Sequence, residues 1–169
     1  MLISEAYTAQ NADMHLRKPG YGASGSRWAK EVRDLANLIK AESILDYGAG
    51  KRSLEYELDD LNIRSYDPCV PEIAGEPEPA DLVACTDVLE HVEPECIDAV
   101  LDHIHESALK AVFLVIATRP ATKTLPDGRN AHLIQQSSEW WLPKITQRWK
   151  LQYFAKTGVG EFTAIGVRR

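Results

Sequence analysis

The chain has 169 residues, 44% of them hydrophobic and 26% charged; this suffices for one ordinary core without disulfide staples and excludes the apolar-poor composition of a disordered chain. Its net charge of −6 argues against a surface that wraps long nucleic acid, whose affinity comes from neutralised phosphates. Three cysteines, Cys69, Cys85 and Cys96, have no CxxC spacing and imply neither a disulfide framework nor a zinc ribbon, in keeping with a reducing, cytoplasmic setting.

The opening MLISEAYTAQNADMH lacks the basic end and apolar stretch of a secretory signal, and no later run approaches the ~20 apolar residues of a membrane span. The first 18 residues predict a helix with Leu2, Ala6, Ala9 and Met14 on one side, followed by a breaker-rich loop, KPGYGASGS. Trp28, Val32, Leu35, Leu38 and Ile39 then have helical spacing, with Ser24 or Ser26 as N-cap. SILDY reads as a short buried strand, followed by glycines and a helix starting near Lys51.

A second strand, NIRSY, ends at Asp67, and a Pro/Glu-rich loop of only 13 residues leads to the strand DLVACT at Asp81. Residues 94 to 108 predict a helix with Pro94 in its first turn, and KAVFLVIAT the most buried strand. After a long loop from Arg119 to about Gln136, SSEWWLPKITQR predicts a helix capped by Ser137 or Ser138 and limited by Pro143. LQYFAK and EFTAIGVRR close the chain as a hairpin. Alternating strands and helices of this kind build a mostly parallel sheet covered on both faces.

In such a sheet, ligands bind beyond the strands' carboxyl ends where the strand order reverses. Gly48 and Gly50 follow the first strand, where a missing side chain lets the backbone approach a ligand. Asp46 before them is placed to accept from an ammonium group, and Asp67 ends the second strand, where a carboxylate accepts both ribose hydroxyls of an adenosine. Each residue alone also fits a simple turn; the ordered series of strand, glycines, helix, strand and terminal Asp is more specific.

ILDYGAG resembles the first motif of class I S-adenosylmethionine-dependent methyltransferases, SYDP their ribose-binding acidic motif, and ADLVACTDVLEHV their fourth-strand motif. The similarity spans about residues 43 to 169 and marks the chain as a small, truncated member of that superfamily. It implies a Rossmann-like fold with a six-stranded, mostly parallel sheet, an antiparallel C-terminal hairpin and one helix–strand unit missing. It also implies one domain over 1–169, with N-terminal helices and a lid over 1–40 and the core over 41–169. S-adenosylmethionine would lie with Asp46, Gly48 and Gly50 at its methionine moiety, Asp67 on its ribose and Asp87 facing the methyl group. Arg52 stands where many members have a third glycine, and the residue that normally binds the adenine amino group is absent. The adenine then falls to the loop from Pro68 to Pro79, with Cys69 and Val70.

The expected function is methyl transfer to a small-molecule or nucleotide-like acceptor, with His91 or His132 as base and Asp87 beside the methyl group. Tyr21, Arg119, Lys123, Arg129 and Trp140 are expected at the acceptor, whereas His15, His103 and His105 read as surface residues. The basic side chains follow from a charge swing, −12 over residues 1–118 and +6 over residues 119–169. DxxEH plus His132 also resembles the magnesium sites of small-RNA 2′-O-methyltransferases and ubiquinone-biosynthesis O-methyltransferases, which implies Mg2+ held by Asp87, Glu90, His91 and His132. Two rivals stay open: an enzyme that degrades S-adenosylmethionine, and a cofactor-binding partner or regulatory module without catalysis. A nicotinamide oxidoreductase is disfavoured, because TDVLEHV has no part there.

Overall fold

A computed structural model describes residues 1–169. Ser4 accepts a hydrogen bond from the Tyr7 amide and starts α1 (Glu5–Arg17). The helix turns Tyr7, Asn11 and Met14 inward, so Ala6 and Ala9, expected inside, face solvent. A 3₁₀ turn over Gly25–Trp28 leads into α2 (Ala29–Ile39). Neither Ser24 nor Ser26 caps that helix by its side chain, since the 3₁₀ turn intervenes and the Ser26 amide is taken by the Ser53 hydroxyl. Val32, Leu35 and Ala36 form the buried stripe, and Leu38 falls outside it.

Strands β1 (Ile44–Tyr47) and β2 (Ile63–Tyr66) flank α3 (Ser53–Glu57). The helix starts two residues later than expected because Arg52 is left-handed at its N-cap, with φ 58°; its guanidinium bridges to Glu55. Beyond β2 the chain makes the expected irregular loop, with one 3₁₀ turn at Pro71–Ile73, before β3 (Ala80–Thr86). Then come α4 (Ile97–Ser107), β4 (Ala108–Ala117), α5 (Ser138–Arg148), β5 (Lys150–Lys156) and β6 (Glu161–Val167). Pro143 does not limit α5. It sits in the helix's second turn, where its ring costs the single hydrogen bond to the Glu139 carbonyl.

The six strands run in the order β2-β1-β3-β4-β6-β5. The first four pair in parallel and β6 and β5 pair antiparallel, as the sequence predicts. One face carries α4 and α5 over a core of 21 buried residues that includes Trp141 and Trp149; the other carries α2 and α3 over 14, including Trp28 and Phe113. The chain leaves β1 for β2 on one side and returns to β3 on the other, so the strand order reverses between β1 and β3. That crevice is where the fold places a ligand. On the α4 side of β1 and β2, Tyr47, Tyr66 and His103 pack together, and His103 links the Tyr47 hydroxyl to Glu76 of the loop. His103 is therefore not the free surface residue expected from the sequence. His105 likewise lies edge-on to Trp149, its Nδ1 buried.

Candidate active site

The crevice opens into a cavity of about 490 Å³. Its floor is made by the strand ends: Tyr47 and Gly48 after β1, Asp67 and Pro68 after β2, Asp87 and Val88 after β3, and Arg119 after β4. Its roof is made by α1 and the loop that follows it, through Tyr7, Asn11, His15, Tyr21 and Gly22. A small cluster of Tyr7, Leu125 and Ala131 joins α1 to the loop after β4. The Tyr7 hydroxyl donates to the His91 carbonyl, and Glu93 accepts from both the amide and the hydroxyl of Ser4. Lys123 closes the remaining side by donating to the Gly20 carbonyl.

Gly48 and Gly50 have φ of 78° and 50°, values that side chains rarely adopt. The amides of Gly48 and Ala49 donate to the Tyr66 carbonyl, that of Gly50 to Asp67, and that of Lys51 to the Gly22 carbonyl. The glycine turn is thus closed on its own chain. A Cβ at Gly48 would stand 2.4 Å from the Val88 side chain, and one at Gly50 2.6 Å from the Gly22 carbonyl. Substitution at Gly48 therefore strains the fold itself as well as any ligand space.

Asp67 is buried, and its two oxygens accept from the amides of Gly50 and Cys69 at 2.9 and 2.8 Å. Each oxygen keeps a lone pair for a ligand in the cavity it lines. Asp46 lies behind the glycine turn and does not reach the cavity. Burial above all, then the charges of Glu55 and Asp67, push its carboxyl up to about 7. An acid whose folded value exceeds its unfolded one stabilises the fold only while protonated; the contribution is complete below about pH 4 and lost as pH rises through about 7. The swing amounts to about 4 kcal/mol at most. Without ligand, the advantage of Asp46→Asn over the native chain should grow between pH 4 and pH 8 in thermal melts, and parallel curves would refute it.

The i, i+3, i+4 spacing of Asp87, Glu90 and His91 would give them one face of an α-helix, but just beyond β3 the chain forms no α-helix over these residues. Asp87 is left-handed, with φ 55°, and Leu89–His91 make a 3₁₀ turn. A side chain held in that conformation in a cavity wall carries strain of the kind found at functional sites. The turn brings Glu90 and His91 together with His132, their ligand atoms all within 4.8 Å of one another; Asp87 is outside that group of three. His91 Nδ1 is 2.7 Å from the Ala131 carbonyl and His132 Nδ1 is 2.6 Å from the Arg119 carbonyl. An imidazole that donates Nδ1–H to a carbonyl keeps its Nε2 lone pair free. Glu90 accepts from the Ala117 amide through Oε1, while Oε2 is buried without a partner. Burial pushes the Glu90 carboxyl up to about 8 and, with His132 alongside, drives the His91 imidazole down to about 4. Asn130, which sequence reasoning passes over, sets the loop: its Oδ1 accepts from the amides of Ala121 and His132.

Of the expected acceptor residues, Tyr21, Arg119 and Lys123 line the cavity, and Arg27 joins them from the 3₁₀ turn. Arg129 is not in the lining; it pairs with Asp127 and lies over the Tyr7 ring. Trp140 is also elsewhere, packed edge-on against Trp141 under Lys144. Pro68 and Cys69 border the cavity as expected, but Val70 does not. His15, expected at the surface, is in the wall, because α1 folds back over the glycine turn from far away in sequence. No helix of the chain is long and apolar enough to cross a membrane.

No protein-family profile matches the chain, and no curated protein matches it by sequence. Solved structures do match. An O-methyltransferase family protein from Burkholderia thailandensis aligns over 94% of this chain and 63% of its own, at 12% identity and TM-score 0.61. The 1,6-didemethyltoxoflavin-N1-methyltransferase of the same organism, crystallised with 1,6-didemethyltoxoflavin and S-adenosylhomocysteine, aligns over 96% and 88%, at 13% identity and TM-score 0.70. Magnesium protoporphyrin IX methyltransferase from Synechocystis PCC 6803, with bound S-adenosylhomocysteine, aligns over 96% and 100%, at 14% identity and TM-score 0.65. The fold is that of the class I methyltransferases, and the chain spans less than two thirds of the first of these relatives.

Proposed function

We propose that the chain is a methyltransferase that takes S-adenosylmethionine as methyl donor. The observation that carries this reading is the buried Asp67 carboxylate, in the cavity wall at the strand-order reversal and hydrogen-bonded to the glycine turn. Calorimetric titration with S-adenosylmethionine and S-adenosylhomocysteine tests it, and absence of binding at millimolar ligand would refute it. S-adenosylmethionine supplies an electrophilic methyl group. The chain would supply position and water exclusion: Asp67 holds the ribose end, Gly48 leaves room beside it, and the roof of α1 shuts out solvent. His132 presents an Nε2 lone pair that can take a proton from an acceptor hydroxyl or amine, and His91, driven down to about 4, is the weaker base of the two.

The same cluster fits a divalent metal. A buried carboxylate oxygen without a partner, beside two imidazoles whose tautomers are fixed by carbonyls, is the donor set and support that metal sites use. Glu90, His91 and His132 would hold the ion, which would polarise an acceptor oxygen. Two nitrogen donors suit Mn2+, Fe2+, Co2+ or Zn2+ better than the Mg2+ expected from sequence, which prefers oxygens.

The acceptor is small and anionic in this reading, because Arg119 and Lys123 line the cavity together with Arg27, whose guanidinium also pairs with Glu161. A basic rim that is merely solvated would bind no acceptor, and salt separates the two cases. Acceptor KM should rise steeply with ionic strength in the native chain and stay flat in an Arg119→Ala/Lys123→Ala variant. Equal salt dependence in both would remove these residues from the acceptor site.

A further inference from the structure

The roof of the cavity puts a histidine beside Asp67. His15 Nε2 is 3.9 Å from Asp67 Oδ2, and both side chains line the cavity. That separation is too long for a hydrogen bond, yet one hydroxyl at about 2.8 Å from each atom fits between them. Burial keeps His15 below its ordinary value despite the nearby carboxylate, so the ring is a neutral imidazole with one donor and one acceptor. Its Nδ1 is buried and has no partner in the chain.

The ring is held rather than free. Tyr21 packs edge-on against it at 4.9 Å, and the Tyr21 hydroxyl donates to Asn11 one turn back on α1. Gly22 and Gly50 border it so closely that a Cβ on either would stand 2.5 or 3.0 Å from Cε1. The Lys51 ammonium donates to the His15 carbonyl, tying this end of α1 to the glycine turn.

We propose that His15 is a second ribose-binding residue, which donates from Nε2 to a hydroxyl whose proton Asp67 accepts; this rests on the cofactor reading above. The N-terminal helix then completes the nucleoside end of a site that lacks the usual adenine-side unit, and the diol is read from both sides. A merely packed histidine would leave diol recognition to Asp67 alone.

The experiment titrates the full chain with S-adenosylhomocysteine and its 2′,3′-dideoxy analogue, in native, His15→Ala and His15→Gln forms, with thermal melts to confirm folding. His15→Ala should lose about tenfold in affinity for S-adenosylhomocysteine and little for the dideoxy analogue, as for one lost hydrogen bond in a charge-assisted pair. His15→Gln, which keeps a donor, should recover part of the difference. Equal losses for both ligands, or no loss for either, would overturn the proposal while leaving the cofactor reading intact. A native chain that does not bind S-adenosylhomocysteine overturns the cofactor reading and this proposal with it.

Discussion

Asp67→Ala should weaken S-adenosylhomocysteine by about 100-fold, or about 3 kcal/mol, because two hydroxyl hydrogen bonds to a charged group are lost at about 1.5 kcal/mol each. The same change orphans the amides of Gly50 and Cys69, which now donate to its two oxygens. Their loss should lower the melting temperature, since each unsatisfied buried amide costs about 1 to 3 kcal/mol. The two effects separate on a second variant. Asp67→Asn keeps an acceptor for one amide but turns an NH2 toward the other, so it should lose affinity with a smaller loss of stability. Calorimetry and thermal melts on both variants provide the check. A folded Asp67→Ala chain that still binds S-adenosylhomocysteine with native affinity would place the cofactor elsewhere.

The strands and the floor of the cavity are legible in the sequence because local pattern determines them. ILDY, IRSY and the apolar run of β4 each carry their own burial signal, and the residue ending each strand falls at the carboxyl edge by topology alone. Asp67, Gly48 and Asp87 therefore all line the cavity. Asp46 follows the same local logic and yet is buried outside the cavity lining.

The roof is not legible, because it depends on contacts far apart in sequence. Ser4 meets Glu93 across 89 positions and Lys123 meets Gly20 across 103. Nothing near His15 distinguishes it from a solvated helix residue, and it comes beside Asp67 only because α1 folds over the glycine turn. The expected acceptor set is divided for a related reason. The charge swing locates basic residues in the last third, but it cannot tell Lys123, which reaches the cavity, from Arg129, which pairs with Asp127 two residues before it. Arg27 escapes notice because it lies in the acidic part of the chain.

The EH motif is a third case, in which local spacing does not give the geometry. Helical spacing would put Asp87, Glu90 and His91 on one face, but the left-handed Asp87 and the 3₁₀ turn leave Glu90, His91 and His132 as the group that converges. If these three hold a metal, Mn2+ at 100 times its Kd should stabilise the native chain by about 2.7 kcal/mol. Mg2+ at the same concentration should do less, because two of the three donors are nitrogens. His91→Ala/His132→Ala should abolish the Mn2+ stabilisation, and it should abolish methyl transfer together with any chelator-sensitive activity. Asp87→Ala should keep most of the metal-dependent shift, since Asp87 stands outside the cluster. Thermal melts with and without Mn2+ and with chelator read all three. Equal Mn2+ stabilisation in the double variant would refute the site; unchanged activity in chelator would leave the two imidazoles as proton acceptors.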